Sequence, residues 1–120
     1  MNLCFDTYAL MDIHNGKASV IELLNENAFI TELTLTEFFG VLYRKHGEKT
    51  ALYWYKRLSH LTVCVDVQIL FNAMKFKIDN HQKELSFFDC AGYIYARENG
   101  LKFVTGDEEF KGVEGVLFLK

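Results

Sequence analysis

Short apolar runs alternate along this chain with longer stretches in which apolar residues recur every three or four positions. The runs predict strands at residues 2–5, 28–31, 61–65, 102–105 and 116–119. Between them, Leu35, Phe38, Phe39, Leu42 and Tyr43 fall on one helical face, and Gly47 is placed to end that helix. Further helices are expected over residues 49–59, 67–78 and 87–99, the last closed by Gly100, and over 8–25 with a break near Asn15-Gly16. Strands separated by helix-length segments imply a parallel sheet. The expected fold is a three-layer, Rossmann-like α/β domain, its short central sheet mainly parallel and flanked by helices on both faces.

Composition narrows the picture without changing it. The 120 residues are 50% apolar and 15% aromatic, with no proline and no linker-like or repeated segment, which suits a single domain over 1–120. Against 16 acidic residues there are 13 Lys and Arg, a net charge of −3, so no broad basic surface announces a polyanion. Neither a signal peptide nor a membrane span is expected from the apolar runs, and a cytoplasmic location follows as an expectation. Cys4, Cys64 and Cys90 are odd in number, far apart and set in apolar surroundings, so they read as buried reduced thiols and not as a disulfide or zinc framework.

In an open parallel sheet, ligands bind beyond the carboxyl ends of the strands, so the residues just after each strand are the ones to inspect. Asp6 follows the first strand, Glu37 is expected in the first turn of the next helix, Asp66 follows the third strand and Asp107 the fourth. Asp89 sits at the start of the helix that leads into the fourth strand. Carboxylates gathered at one sheet end repel one another unless protonated or met by a cation, and hard oxygen donors of this kind suit Mg2+ or Mn2+. Each acid also has a plainer reading. Thr34-Leu35-Thr36-Glu37 and Ser86-Phe87-Phe88-Asp89 both fit helix capping boxes, Asp66 fits an N-cap, and Asp107 fits a turn. Asp6 resists such a reading, because a lone charge ending an apolar strand is costly to bury.

Arg44 and Lys45 fall seven and eight positions after Glu37, and Arg44 is the side chain expected to reach a substrate phosphate. The competing reading is a solvated helix end with cations favoured by the dipole. His14, His46, His60 and His81 have no metal-ligand spacing and receive no role. Tyr53-Trp54-Tyr55 cannot all face one core, so at least one is a candidate for a subunit interface, against the more ordinary outcome of a partly exposed ring.

Taken together, three blocks carry a family resemblance: Leu3-Cys4-Phe5-Asp6-Thr7-Tyr8-Ala9-Leu10; Thr34-Leu35-Thr36-Glu37-Phe38; and Ser86-Phe87-Phe88-Asp89-Cys90-Ala91 with Val104-Thr105-Gly106-Asp107-Glu108-Glu109-Phe110. Over almost its whole length the chain resembles the PIN-domain nucleases, and among them the small VapC-like toxins of toxin–antitoxin pairs. The resemblance implies a PIN-like fold and a metal-dependent endoribonuclease with Asp6, Glu37, Asp89 and Asp107 as its acidic cluster and Thr105 as a polar neighbour. Asp6, Asp89 and Asp107 would be the metal ligands and Glu37 would orient a bound water. RNA as substrate, a cognate antitoxin and a homodimer follow as expected partners. Cys90 stands where Ala is usual, and the site's surroundings are less basic than in many relatives.

Other readings of the same αβ order fail on specific residues. A receiver-like signalling domain wants paired acids after the first strand, and a haloacid-dehalogenase phosphatase wants Asp-x-Asp there, whereas this chain has Asp6-Thr7-Tyr8. No Walker A loop, dinucleotide glycine fingerprint or nucleophile elbow is present. The remaining alternative is a PIN-like fold used as an interaction module, or kept silent by a protein partner, with its acids intact and no turnover in isolation.

Overall fold

A computed structural model describes residues 1–120. Five strands form one sheet: β1 (Asn2–Phe5), β2 (Asn27–Thr31), β3 (Thr62–Val63), β4 (Lys102–Thr105) and β5 (Val116–Phe118). Their spatial order is β3-β2-β1-β4-β5 and every pairing is parallel, so the sheet is wholly parallel where mainly parallel was expected. Six helices connect the strands: α1 (Thr7–His14), α2 (Ala18–Ile21), α3 (Glu32–His46), α4 (Glu48–Leu58), α5 (Val67–Asp79) and α6 (Phe87–Glu98). Single turns of 3-10 helix at Glu22–Asn25, Ser59–Leu61 and Glu108–Phe110 complete the connections.

The period of two along the strands divides the interior into two cores. Leu3, Phe5, Ala28, Ile30 and Val104 point to one face, where α1, α2, α3 and α4 cover them with Leu10, Ile13, Val20, Phe38, Leu42 and Ala51. Cys4 and Phe103 point to the other, where α5 and α6 contribute Ala73, Cys90, Ala91, Tyr93 and Ala96. A residue buried on both sides of a sheet has no water to fall back on. The strands accordingly read as continuous apolar runs instead of alternating ones.

Three local expectations change. The third strand is only Thr62–Val63, because Val65 donates its N–H to the Glu32 carboxylate (3.1 Å) and leaves the ladder. Cys64 lies beyond that strand end and is exposed, whereas Cys4 and Cys90 are buried as expected. Burial pushes the thiol of Cys4 up to about 12 and that of Cys90 to about 11, so both stay protonated. Helix α3 begins at Glu32 with Thr31 as its N-cap, the Thr31 hydroxyl accepting from the Thr34 N–H at 3.1 Å. Thr34 therefore lies inside the helix and Glu37 in its second turn. The capping box expected at Thr34–Glu37 does not form, which frees the Glu37 carboxylate for another partner.

The second core is dominated by rings. Phe103 is fully buried, with its centroid 5.8 Å from Tyr93 and 5.1 Å from Phe110. Replacing Phe103 with Ala removes the ring that all of these pack against, and is expected to cost about 3–5 kcal/mol, read as a lower urea midpoint at unchanged m-value.

Candidate active site

The chain crosses over once in this sheet. Strands β1, β2 and β3 are laid down outward on one side, and β4 then returns to pair with the other edge of β1. Such a reversal opens a crevice at the carboxyl ends of β1 and β4, the place where open α/β sheets hold ligands. Asp6 ends β1 and Thr105 ends β4. The Thr105 hydroxyl donates to Asp6 Oδ2, and the Ala9 N–H donates to Asp6 Oδ1 at 2.8 Å, so Asp6 both caps α1 and ties the two strands. Thr105 Oγ1 in turn accepts the N–H of Asp107 at 3.0 Å, and Asp107 Oδ1 accepts that of Glu109 at 3.0 Å.

Asp89 arrives from α6, where Ser86 is the N-cap and its hydroxyl oxygen accepts the Asp89 N–H at 3.1 Å. That half of the expected capping box forms. Glu37 arrives from α3 and accepts a hydrogen bond from the Thr7 hydroxyl. Asp66 accepts from the Ile69 N–H at 3.0 Å as the N-cap of α5 and takes no part in the cluster, as its N-cap reading expects. Four acids from four separate elements are thus brought to one end of the sheet.

Their charges interact. Asp6 is only 1% exposed, and its carboxyl is held well above the ordinary range, first by burial, then by the charge on Asp89 and more weakly by Asp107, with the bonds from Thr105 and Ala9 opposing. Burial pushes Asp89 up to about 7, aided by the charges on Glu37 and Asp107 and opposed by Ser86. Near neutrality the cluster therefore holds protons that isolated carboxylates would have lost. A cation removes the reason for holding them.

Above the cluster lies a cleft of about 440 Å3, lined by Thr7, Tyr8, Met11, Asp12, Asn15, Lys45, Asp89 and Asp107. It is the largest opening in the molecule, and the other two, of about 350 and 320 Å3, are mainly apolar and contain none of the four acids. Asp89 and Asp107 face the cleft, Asp6 lies sealed beneath, and Glu37 stands behind Thr7. Lys45, and not Arg44, is the α3 cation that reaches it. Spacing from Glu37 put both on the right side of α3; what it lacked was the position of α1, which packs against α3 and forms the cleft's other wall. Tyr8, Asn15 and Thr7 escaped the sequence reading because only the turn of α1 relative to the sheet aims them outward. Thr7 had one signal, its place directly after Asp6.

The donor set suits a hard divalent ion. All candidate ligands are carboxylate oxygens, and their mutual repulsion is what such an ion relieves. No three acidic or histidine side chains close into a ready cage. Mg2+ seldom needs one, since it is commonly held by one or two carboxylates with water and substrate phosphate completing the shell.

Three comparisons bear on this architecture. The model of the PIN domain matches residues 3–116. No curated protein sequence matches the chain. Among solved structures, it is similar to VapC20 of Mycobacterium tuberculosis, a toxin that cleaves the sarcin–ricin loop, with a TM-score of 0.79 at 18% identity, covering 99% of each chain. It is similar also to a DNA-bound VapBC from Salmonella typhimurium (TM-score 0.77, 20% identity, 99% of this chain and 97% of that one). A toxin–antitoxin complex from Klebsiella pneumoniae gives a TM-score of 0.75 at 20% identity, covering 97% of this chain and 96% of that one. At such identities the likeness is one of fold. The family model, however, runs from the first strand to the last and takes in all four acids of the β1–β4 crevice, and the chain therefore belongs to the PIN domain family.

Proposed function

We propose that this chain is a metal-dependent endoribonuclease, the toxin of a VapBC-type pair, which hydrolyses RNA to 5′-phosphate and 3′-hydroxyl ends. The observation that carries this reading is the gathering of Asp6, Glu37, Asp89 and Asp107 at the β1–β4 crossover, where Asp89 and Asp107 open onto the cleft. Asp89 and Asp107, which face the cleft, would hold a Mg2+ or Mn2+ ion, with the buried charge of Asp6 beneath them. Such an ion supplies an activated water at neutral pH and compensates charge on the phosphoryl oxygens. Thr7 fixes the Glu37 carboxylate, whose role is to orient the attacking water. Thr105 fixes Asp6 and, through its acceptor contact, the backbone of Asp107. In the reaction a water oxygen bonds to phosphorus, the bond from phosphorus to the 3′ oxygen breaks, and that oxygen leaves as the hydroxyl after taking a proton. The RNA 2′-hydroxyl is not the nucleophile, so no cyclic phosphate forms.

The relatives include toxin–antitoxin complexes, and this supports a cognate antitoxin for this chain. No helix is long and apolar enough to cross a membrane, and the proposed site of action is the cytoplasm. A homodimer is proposed as well. Its support is a stripe on α5, where Val67, Phe71, Met74 and Ile78 are 59%, 59%, 44% and 61% exposed at alternating spacings of four and three residues. The aromatic run on α4 supports it less, because Trp54 turns inward to within 5.6 Å of the His14 ring and leaves only Tyr53 and Tyr55 exposed.

Cleavage of a mixed single-stranded RNA by the wild type should require Mn2+ or Mg2+, stop with chelator, and leave 5′-phosphate ends; Asp89→Asn should lower the rate by about a hundredfold or more. Cyclic phosphate ends overturn the mechanism, and metal binding without cleavage favours the interaction-module alternative. A second outcome concerns stability. Asp6 and Asp89 have raised folded-state pKa values, so their stabilising contribution is complete below the ordinary carboxylate range and is lost as pH rises through about 7, the value for Asp89. With chelator at about pH 8, Asp89→Asn should melt about 5 °C or more above the wild type, a gap that closes toward about pH 4 and on adding Mg2+. Equal melting at both pH values refutes the coupling. In sedimentation, the wild type should be a dimer and Phe71→Lys a folded monomer; a wild type that is monomeric across a dilution series removes the dimer.

A further inference from the structure

The acids occupy one end of the cleft, and the rest of it runs along the exposed side of α1 toward residues that the hydrolysis itself does not use. Tyr8 is next to the acids. Its ring is 39% exposed and forms part of the lining, while its edge is pressed against Gly106, the residue between Thr105 and Asp107. The fit is so close that a Cβ on Gly106 would lie 2.4 Å from Tyr8 Cε1, 2.7 Å from Cδ1 and 2.7 Å from the Leu119 carbonyl oxygen. Only glycine leaves space for the ring there. Tyr8 is therefore a fixed aromatic surface at the mouth of the acidic site, with one edge supported by backbone and the remainder open to the cleft.

At the far end, Asn15 caps the C-terminus of α1 and Lys45 comes from the last turn of α3. Asp12, the other charge there, lies 3.7 Å from Lys17. No carboxylate lies within ion-pair distance of Lys45, since the four ion pairs of the molecule join Met1 to Glu26, Lys17 to Asp12, Arg97 to Glu114 and Lys120 to Glu108. From Tyr8 to Asn15 the cleft follows roughly 10 Å of helix. A flat ring beside the cutting site and an uncommitted ammonium beyond it match the two things a single strand offers in succession, a base face and a phosphate. A protein segment would find little to bury here, because Tyr8 and Met11 are the only apolar side chains of the lining.

We propose that the outer side of α1 is a subsite for single-stranded RNA, in which Tyr8 stacks a base adjoining the scissile phosphate and Lys45, with Asn15, holds a phosphate further along the strand. The subsite rests on the ribonuclease reading for its orientation. Tyr8 and Lys45 are positioning residues. They raise the occupancy of the cleft and leave the reacting atoms to the acids.

The test combines wild-type kinetics in Mn2+ with binding of a fluorescent RNA hexamer to the full chain carrying Asp89→Asn, which also lowers the negative charge of the cleft. Tyr8→Ala should raise KM and weaken binding about tenfold with kcat nearly unchanged, Tyr8→Phe should restore both, and Tyr8→Leu should not, because stacking and not bulk is required. An abasic substitution next to the cut should weaken binding by the same factor in Asp89→Asn but not in the Asp89→Asn, Tyr8→Ala double variant. Lys45→Ala should reduce the salt slope of binding by about one, with Arg44→Ala unchanged. Variants that melt as the wild type yet keep its KM and salt slope overturn the subsite while leaving the nuclease intact. Tyr8-dependent binding without wild-type cleavage keeps the subsite and refutes the nuclease, and absence of both binding and cleavage refutes both.

Discussion

Asp6 is a carboxylate sealed at the end of the central strand, where β1 and β4 separate and where no water reaches it. Its two oxygens are taken by the Thr105 hydroxyl and the Ala9 N–H, so the same side chain joins two strands and starts a helix. Burying a charge in such a place is unfavourable unless it is paired, and here the nearest charges are Asp89 and Asp107, which make matters worse. The arrangement places a demand for positive charge at a defined point, which the proposed metal ion would meet. Everything else at the crevice follows from that demand: the Ser86 cap that holds Asp89 in place, the Thr7 hydroxyl that holds Glu37, and the backbone contact that fixes Asp107 to Thr105. The hydroxyls do the positioning, and they carry no charge that would spoil the site's appetite for a cation.

Most of the fold is legible in the sequence because the sheet is buried on both faces. Strands such as Leu3-Cys4-Phe5 and Phe103-Val104 must be apolar at every position, and helices between them must be apolar on one side only, so the two periods separate cleanly. What escaped were features decided by a partner distant in sequence or by a choice between equivalent neighbours. Glu32 reaches across to the N–H of Val65, which ends β3 early and turns Cys64 outward; no local pattern around Cys64 announces this. Thr31 rather than Thr34 caps α3, and both are threonines that can accept from an N–H three residues on, so local chemistry alone could not choose between them.

The candidate site divides in the same way. Asp6, Asp89 and Asp107 are legible because each directly follows a strand or opens a helix, positions fixed by chain order. Glu37 is marked by its place in the helix that follows β2; its plainer reading, a capping box with Thr34, does not form, and the freed carboxylate meets Thr7. Arg44 and Lys45 differ by one residue, and that single step on α3 decides which of them looks across at α1. Helical spacing fixes a side chain's angle about its own axis. It is silent on where the neighbouring helix stands.

The charge arrangement of the cleft also orders events within it. A phosphate approaching Asp89 and Asp107 meets like charge, and at the far end only Lys45 is uncommitted, because Lys17 is engaged with Asp12. With a net charge of −3 the rest of the surface supplies no compensating basic field. Under the proposed reading, an RNA strand would settle in the cleft only after the carboxylates have been neutralised. Neutralisation by protons, which the raised pKa values of Asp6 and Asp89 make easy, admits the strand but leaves nothing to activate a water. Neutralisation by a divalent ion would do both. Under the proposed nuclease reading, the poor basicity around this site and the crowding of acids within it work together: either protons or a cation would admit a strand, and only the cation would let an admitted strand be cut.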